Sequence, residues 1–362
     1  MHRVTIAEVA ARAGVSTATV SRALSGRGPV SAEVNRRVRR VAADLGYQVN
    51  PIARALRSSR TDTVGMVVPS IGNPFFTSLV QSVEHILERD GKDLFLCDAQ
   101  SDPRIEAKRL ASLVARNVDG IIDSPTPGTE SAPAVAATAG RLPLVQLDRF
   151  VDGTSTDWVG VDDIAAMRLV LDHLHAGGAR SAAFIGSQET NSSTEQRLSG
   201  FRRRAGELGM TVEPGTVLLG EFSIGWGEAA VATLVAGGPL PDAVVCADDL
   251  IALGVTRACR AHGVAVPGRV QVTGFDNIDF ARLGEPALTT VDQPRDRIAA
   301  EAVRLLAAAS DAGPADVTPA RAAAHIALAP RLVVRGSTLG STLGSTVGGP
   351  RNTARESGYL SG

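Results

Sequence analysis

Several residues far apart in the chain share the chemistry needed to grip a polyhydroxylated ring. Asn73, Phe75 and Phe76 follow one short apolar run, Asp148 and Arg149 follow another, Asp248 and Asp249 a third, and Asp276 a fourth. Gln293 ends the run LTTVDQ, and Arg197 opens a helical stretch in EQRLSGF. Flat aromatic rings stack on the C–H faces of a sugar, while carboxylates, amides and guanidiniums make paired hydrogen bonds to its hydroxyls. Plainer uses stand beside this one. Aspartates at strand ends cap helices, as Asp249 before LIALGV and Asp163 could do, and the two phenylalanines could simply fill a core. Another chemistry is legible at Thr17, Ala18, Ser21 and Arg22, a small polar helix side ending in arginine that suits a DNA major groove. A helical hairpin that only packs is the alternative there. Catalytic signatures are missing. There is no GxSxG, GxGxxG or HExxH, and the only lysines are Lys92 and Lys108. Cys97, Cys246 and Cys259 form no CxxC pair and read as buried thiols of a reducing compartment, while His173 and His175 point to different helix faces. The expectation is a non-enzyme with no metal and no cofactor.

The elements that must carry the sugar-type residues alternate in β/α order. Apolar runs at 63–69, 92–97, 118–123 and 143–148 read as buried parallel strands, separated by helices near 74–90, 103–117 and 131–139. A second series follows at 182–186, 216–220, 243–247 and 270–275, with helices near 162–176, 194–208, 226–237 and 249–262. Two such series predict an α/β sensor of two open doubly wound subdomains with a cleft between them. In such sheets, ligands sit beyond the carboxyl ends of the strands, where the candidate residues fall.

The DNA-type residues belong to a different body. Thr5 and Glu8 have capping-box spacing, Val9, Ala10 and Ala13 keep a helical period, and Gly14 stops it. Ser16 caps a second helix from Thr17 to Leu24, with Val20, Ala23 and Leu24 on its apolar side. Ser31 caps a third, striped by Val34, Val38, Val41 and Leu45 and stopped at Gly46. Residues 1–60 carry a net charge of +8 on eleven arginines, and the rest of the chain carries −9, although the whole is only −1. A basic head on an acidic body is the footprint of a duplex-binding module. Next, Asn50 and Pro51 start a helix that lasts only to about Leu56. A helix that short cannot stand alone in water, so Ile52, Ala53 and Leu56 need a second copy, a minor groove, or both.

VAARAGVSTATVSRAL followed by NPIARAL is similar to the lac repressor (LacI/GalR) family of bacterial transcription regulators, and the resemblance covers about residues 3–336. It implies that Thr17, Ala18 and Arg22 stand at base-reading positions and that 50–57 is a hinge helix whose Leu56 wedges into the minor groove. The DNA-contact set is then Thr5, Ser16, Thr17, Ala18, Ser21, Arg22, Asn50, Ala53 and Leu56. Ala18 is too small for a bidentate base contact, whereas Arg22 can grip guanine O6 and N7. The sensor is similar to periplasmic sugar-binding proteins. Set against their ribose-binding members, Asn73, Phe75, Phe76, Arg149, Phe222, Asp276 and Gln293 fit ligand positions, and Arg197 matches the arginine with which family repressors hold effector hydroxyls. Asp248 stands where asparagine is usual, and DSPTPG (123–128) lacks the acidic residue the ribose binders carry after the third strand, so the resemblance favours a pentose or another small sugar without singling out ribose.

The expected organisation is a headpiece at 1–48, a hinge at 49–60 and a sensor at 61–336. Within the sensor, subdomain one takes 61–161 and 291–325 and subdomain two takes 162–290 and 326–336. The resemblance implies that LTTVDQ (288–293) and the helix near 295–309 return to subdomain one. The Gly/Ser/Thr tail 337–362 reads as disordered. The function expected is a cytoplasmic, sugar-responsive repressor, a homodimer at least, on pseudo-palindromic operator DNA, with no membrane segment. A sugar-binding sensor or transport protein without specific DNA binding is the alternative. A secreted transport protein should start with a charged and then a hydrophobic stretch, whereas this chain starts MHRVTIAEVA.

Overall fold

Three capped helices make the amino-terminal unit of the computed structural model: α1 (Ile6–Ala13), α2 (Thr17–Ser25) and α3 (Ala32–Asp44). Residues 4–25, 29–47, 60–126, 128–188, 191–311 and 322–339 are described. The capping box forms as its spacing predicts, with Thr5 Oγ1 accepting from the Glu8 N–H and Glu8 Oε2 accepting from the Thr5 N–H at 2.7 Å. Gly14 closes α1 in the left-handed region at φ 64°, a conformation that a Cβ would strain. Ser16 Oγ accepts from the Thr19 N–H at 3.2 Å to start α2, and Ser31 caps α3. Val9, Ala10, Ala13, Val20, Ala23, Val38 and Ala42 bury together as one small core. The expected hinge residues Asn50, Ala53 and Leu56 lie outside the described residues.

The rest of the chain forms a second compact unit built on two six-stranded sheets. The first holds β1 (Thr63–Val68), β2 (Asp93–Asp98), β3 (Gly120–Asp123), β4 (Leu144–Leu147), β5 (Asp157–Val161) and β11 (His325–Leu328), in the order β11-β5-β4-β3-β1-β2. The second holds β6 (Ala182–Ser187), β7 (Val217–Gly220), β8 (Ala243–Cys246), β9 (Gln271–Phe275), β10 (Thr289–Asp292) and β12 (Arg331–Val333), in the order β12-β10-β9-β8-β6-β7. In the first sheet β11, β5, β4, β3 and β1 pair in parallel, in the second β10, β9, β8, β6 and β7 do, and β12 runs antiparallel to β10. Helices α4 (Pro74–Arg89), α5 (Pro103–Ala115) and α6 (Gly128–Ala139) serve the first sheet, and α7 (Asp163–Ala176), α8 (Ser192–Glu207), α9 (Ile224–Gly237) and α10 (Asp249–Ala261) serve the second. The last helix, α11 (Arg295–Asp311), packs on α4 and on β3, β4 and β5 of the first.

The chain therefore passes between the subdomains three times, near Asp162, at Gln293–Pro294 and at Ala329–Pro330. Two expectations need correction. LTTVDQ does not return with α11, because β10 pairs with β9 in the second sheet. Residues 325–328 belong to the first sheet, where Ile326 lies opposite Val159. The buried strand β5, at the centre of that pairing, escaped the hydrophobic pattern because Asp157 and Gly160 break its five residues.

The expected start of disorder at Ser337 is also wrong. Ser337 is fully buried, donates to the Val272 carbonyl at 2.7 Å and accepts from the Thr289 N–H at 2.8 Å. Thr338 meets Thr289 and His173 through its hydroxyl, and the Leu339 N–H donates to Gln271 Oε1. A tail judged by its own composition shows no core-forming residue, but its hydroxyls satisfy polar atoms that the second sheet supplies.

Candidate functional site

On α2 the apolar and polar sides separate as the helical period requires. Val20 and Ala23 are buried, Thr17, Ala18 and Arg22 are exposed, and Ser21 is half-buried. The Arg22 Nε–H also reaches back to the Ala18 carbonyl at 3.3 Å. Thr5 and Ser16 are exposed, and each anchors a helix start. Arg36, Arg37, Arg39 and Arg40 are all exposed on α3.

The second candidate lies between the two sheets, beyond the carboxyl ends of their strands. Asn73 caps α4, its Oδ1 accepting from the Phe75 N–H at 3.0 Å, and Pro74 follows as the first helical residue. This places Phe75 and Phe76 on the first turn, both buried, edge to face at 5.2 Å. Asp148 turns the chain out of β4 at φ 64°, and Trp158 Nε1 pins that corner by donating to the Asp148 carbonyl at 3.2 Å. Arg149 then reaches across the cleft. Its guanidinium carbon lies 5.4 Å from the Phe76 ring centre in the first subdomain and 5.1 Å from that of Phe222 in the second. The Phe150 N–H crosses too, donating to Ser192 Oγ at 3.0 Å.

Asp276 and Asn277 leave β9 with φ of 101° and 49°, so this strand end, like that of β4, carries strained non-glycine backbone at the cleft. Gln293 Nε2 donates to Asp276 Oδ1 at 2.7 Å. Asp248 caps α10, its Oδ1 accepting from the Ile251 N–H at 2.8 Å, while its other oxygen is buried without a partner. Gln293 Oε1, Arg149 Nε and Ser193 Oγ are likewise buried without a hydrogen-bond partner, although Arg149 Nε lies 3.8 Å from Asp148 Oδ2. Burial lifts the Asp248 carboxyl to about 7, with repulsion from Asp276 adding to it, and lifts Asp276 to about 6.

An outer cavity of about 680 Å³ takes Asn73, Phe76, Thr126 and Arg149 from one side and Asn191 and Phe222 from the other. Beneath it, the space among Phe75, Asp148, Arg197, Asp248 and Asp276 is only about 10 Å³, so the deep end is nearly filled by side chains.

Arg197 has a different surrounding from the one expected of an effector-gripping arginine. Its Nε donates to Asp163 at 2.7 Å, its Nη1 donates to the Ala247 carbonyl at 2.7 Å, and its guanidinium carbon lies 3.6 Å from the Phe275 ring centre. These contacts make it a strut of the second subdomain that also borders the deep end. The cap assignments shift by one residue. Asp162 caps α7 and Asp248 caps α10, which frees Asp163 for Arg197 and Asp249 for Thr290 Oγ1 and the Ile278 N–H.

One feature beside the cleft had no signal in the sequence. Glu106 on α5 is fully buried, and its Oε2 accepts from the Thr126 N–H at 2.9 Å, from Ser131 Oγ at 2.7 Å and from the Thr126 hydroxyl. Asp123 shares this pocket, its carboxyl pushed well up by burial and by Glu106. The network fixes the loop that brings Thr126 to the cavity. Asn191 was also missed, although an asparagine ahead of SSTEQ is a usable cap signal.

Known proteins share this architecture. Bacterial regulatory proteins of the lacI family match residues 5–50, and a periplasmic binding protein-like domain matches residues 171–338. The HTH-type transcriptional repressor PurR of Pasteurella multocida (strain Pm70) is 32% identical over 302 residues, covering 83% of this chain and 90% of PurR. The ribose operon repressor of Halalkalibacterium halodurans is also 32% identical over 302 residues, covering 83% of this chain and 89% of its own. A crystal structure of the lac repressor dimer bound to operator and the anti-inducer ONPF is 26% identical with a TM-score of 0.82, covering 93% of this chain and all of the other.

Proposed function

The chain belongs to the lacI family of bacterial regulatory proteins, DNA-binding transcriptional regulators, and from that premise we propose that it represses carbohydrate-utilisation genes under the control of a small sugar or sugar derivative. The observation that carries the effector half is the cleft itself. Phe76 and Phe222 flank it from opposite subdomains, and buried oxygens of Asp248 and Gln293 await hydrogen-bond donors. Polyols supply stacking faces and donors together. On the headpiece, the exposed Thr17, Ala18 and Arg22 would read bases, with Thr5, Ser16 and Ser21 beside them; Asn50, Ala53 and Leu56 would enter the minor groove. One headpiece reads few base pairs, so the active species is a homodimer on a near-palindromic site.

Closing the cleft on the effector would rotate the first subdomains across the dimer and part the two copies of residues 50–57, which are too short to stay helical alone. Coupling of about 1–3 kcal/mol suffices to change operator affinity 5–150-fold. The test is operator binding by fluorescence anisotropy across a panel of sugars, sugar derivatives and purine bases, the last because of the PurR relative. Release by a sugar, lost in Phe76→Ala and Phe222→Ala but with operator affinity kept, supports the reading. Response to purines alone, or equal affinity for operator and random DNA, refutes it.

A further inference from the structure

The charges around the deep end of the cleft do not balance. Arg197 is committed to Asp163 at 2.7 Å. Arg149, the other guanidinium there, lies 3.8 Å from Asp148. Asp248 and Asp276, 1% and 5% exposed, feel the same two guanidiniums only at longer range, with no hydrogen bond or ion pair to either among the described residues. Asp276 has one neutral donor, Gln293 Nε2, and Asp248 has one backbone donor, the Ile251 N–H. Asp248 Oδ2 and Gln293 Oε1 have none. Glu221 at the mouth adds further negative charge.

We propose that this cleft is built for a polyol carrying a protonated amine, an aminodeoxy sugar or amino alditol, with Asp248 and Asp276 as counter-ions and Asp248 as the residue that sets the preference. The proposal rests on the reading of the cleft as the effector site. A hydroxyl would satisfy the hydrogen bond of Asp248 Oδ2 but leave two buried carboxylates repelling each other. An ammonium supplies up to three donors and the missing charge at once, and charge-assisted bonds of this kind are about twice as strong as neutral ones. A phosphate or carboxylate on the ligand would bring a third negative group into the same space. Placed at Asp248, an asparagine would leave a cap for α10 and an amide for a hydroxyl, but no charge to prefer an amine. The lift of both carboxyls agrees, that of Asp248 by burial and by Asp276 and that of Asp276 by burial and by Asp148, since a bound cation would pull them back down.

The test uses matched probes on the full chain: glucose, glucosamine and glucose 6-phosphate; galactose, galactosamine and galactonate; sorbitol and 1-amino-1-deoxysorbitol. Isothermal titration calorimetry at pH 6.5, where the amines are predominantly protonated, reads affinity. The expected result is that at least one amine binds about tenfold or more tighter than its hydroxyl partner, and that the anions bind weakest. In Asp248→Asn the preference should vanish while the neutral member still binds. Equal binding of amine and hydroxyl partners, or tightest binding of an anion, overturns the proposal and leaves the cleft reading intact. Binding that survives unchanged in Phe76→Ala and Phe222→Ala, or no binding by any probe, overturns both.

Discussion

Removing Arg197 should cost the second subdomain more than it costs any ligand. In Arg197→Met the apolar part of the side chain is largely kept, but Asp163, only 3% exposed, loses its counter-ion and its 2.7 Å hydrogen bond, and the Ala247 carbonyl loses a donor. Breaking one partner out of a buried ion pair costs about 3–5 kcal/mol because the remaining charge is stranded. Burial already pushes the Asp163 carboxyl to about 7 against the pull of Arg197, and removing Arg197 pushes it higher. A carboxyl whose folded pKa lies above its unfolded value holds protons that the unfolded chain gives up. Its penalty is therefore small at pH 5 and grows as the pH rises toward 8. The deficit of Arg197→Met should follow that slope, and Arg197→Met with Asp163→Asn should recover most of it at pH 8. Trp226, whose indole donates to the Gly186 carbonyl at 3.0 Å, reports on this subdomain if Trp158 in the other is first replaced by phenylalanine. Urea unfolding followed by that fluorescence gives the numbers. A loss under about 1 kcal/mol at pH 8, or one independent of pH, would refute the reasoning.

Arg22→Ala should weaken operator binding by about 1–3 kcal/mol per half-site and relax preference at one symmetric base pair, read by anisotropy on a set of single-base operator variants. Gly254→Ala should destabilise the second subdomain, because a Cβ there would sit 2.1 Å from the Ile224 carbonyl where α9 and α10 touch; a thermal midpoint equal to wild type would contradict that contact. Ending the chain at Gly336 rather than at Leu339 should lower the thermal midpoint, since Val272, Thr289 and Gln271 lose their partners on Ser337 and Leu339. Equal midpoints for the two truncations would show those bonds to be replaced by water.

Local signals made much of this molecule legible. Thr5 and Ser31 are caps that can be read from a residue and its next three neighbours, and each caps the helix its spacing predicts. The buried runs of β1 and β6 announce themselves by length and by apolar residues, and the cleft candidates follow from strand ends. What stayed hidden depends on distant partners. Arg197 and Asp163 are 34 residues apart, and nothing local tells whether that arginine faces a ligand or a neighbouring helix. Glu106 reads as an ordinary helix carboxylate until Thr126 and Ser131 close over it. The strands β11 and β12 are only four and three residues long and half exposed, so their pairing partners, not their composition, make them strands.

The three passages between subdomains also govern the order in which a ribosome can deliver a finished sensor. The first sheet gains its edge strand β11, and the helix α11 that covers β3 to β5, only after the whole of β6 to β10 has been made. Until then the seats of Ile298, Ala302 and Leu306, all buried in the finished protein, stand open on the nascent chain. Gly120 illustrates the wait, because its bare backbone is kept for a leucine synthesised nearly two hundred residues later. The second sheet in turn needs β12 and Ser337. Neither subdomain can close its core until residues 325–337 are made, so the headpiece, made earlier, is carried by an unfinished body through most of synthesis. Chains of this kind expose apolar surface for the duration of translation, and chaperone demand should concentrate on that interval.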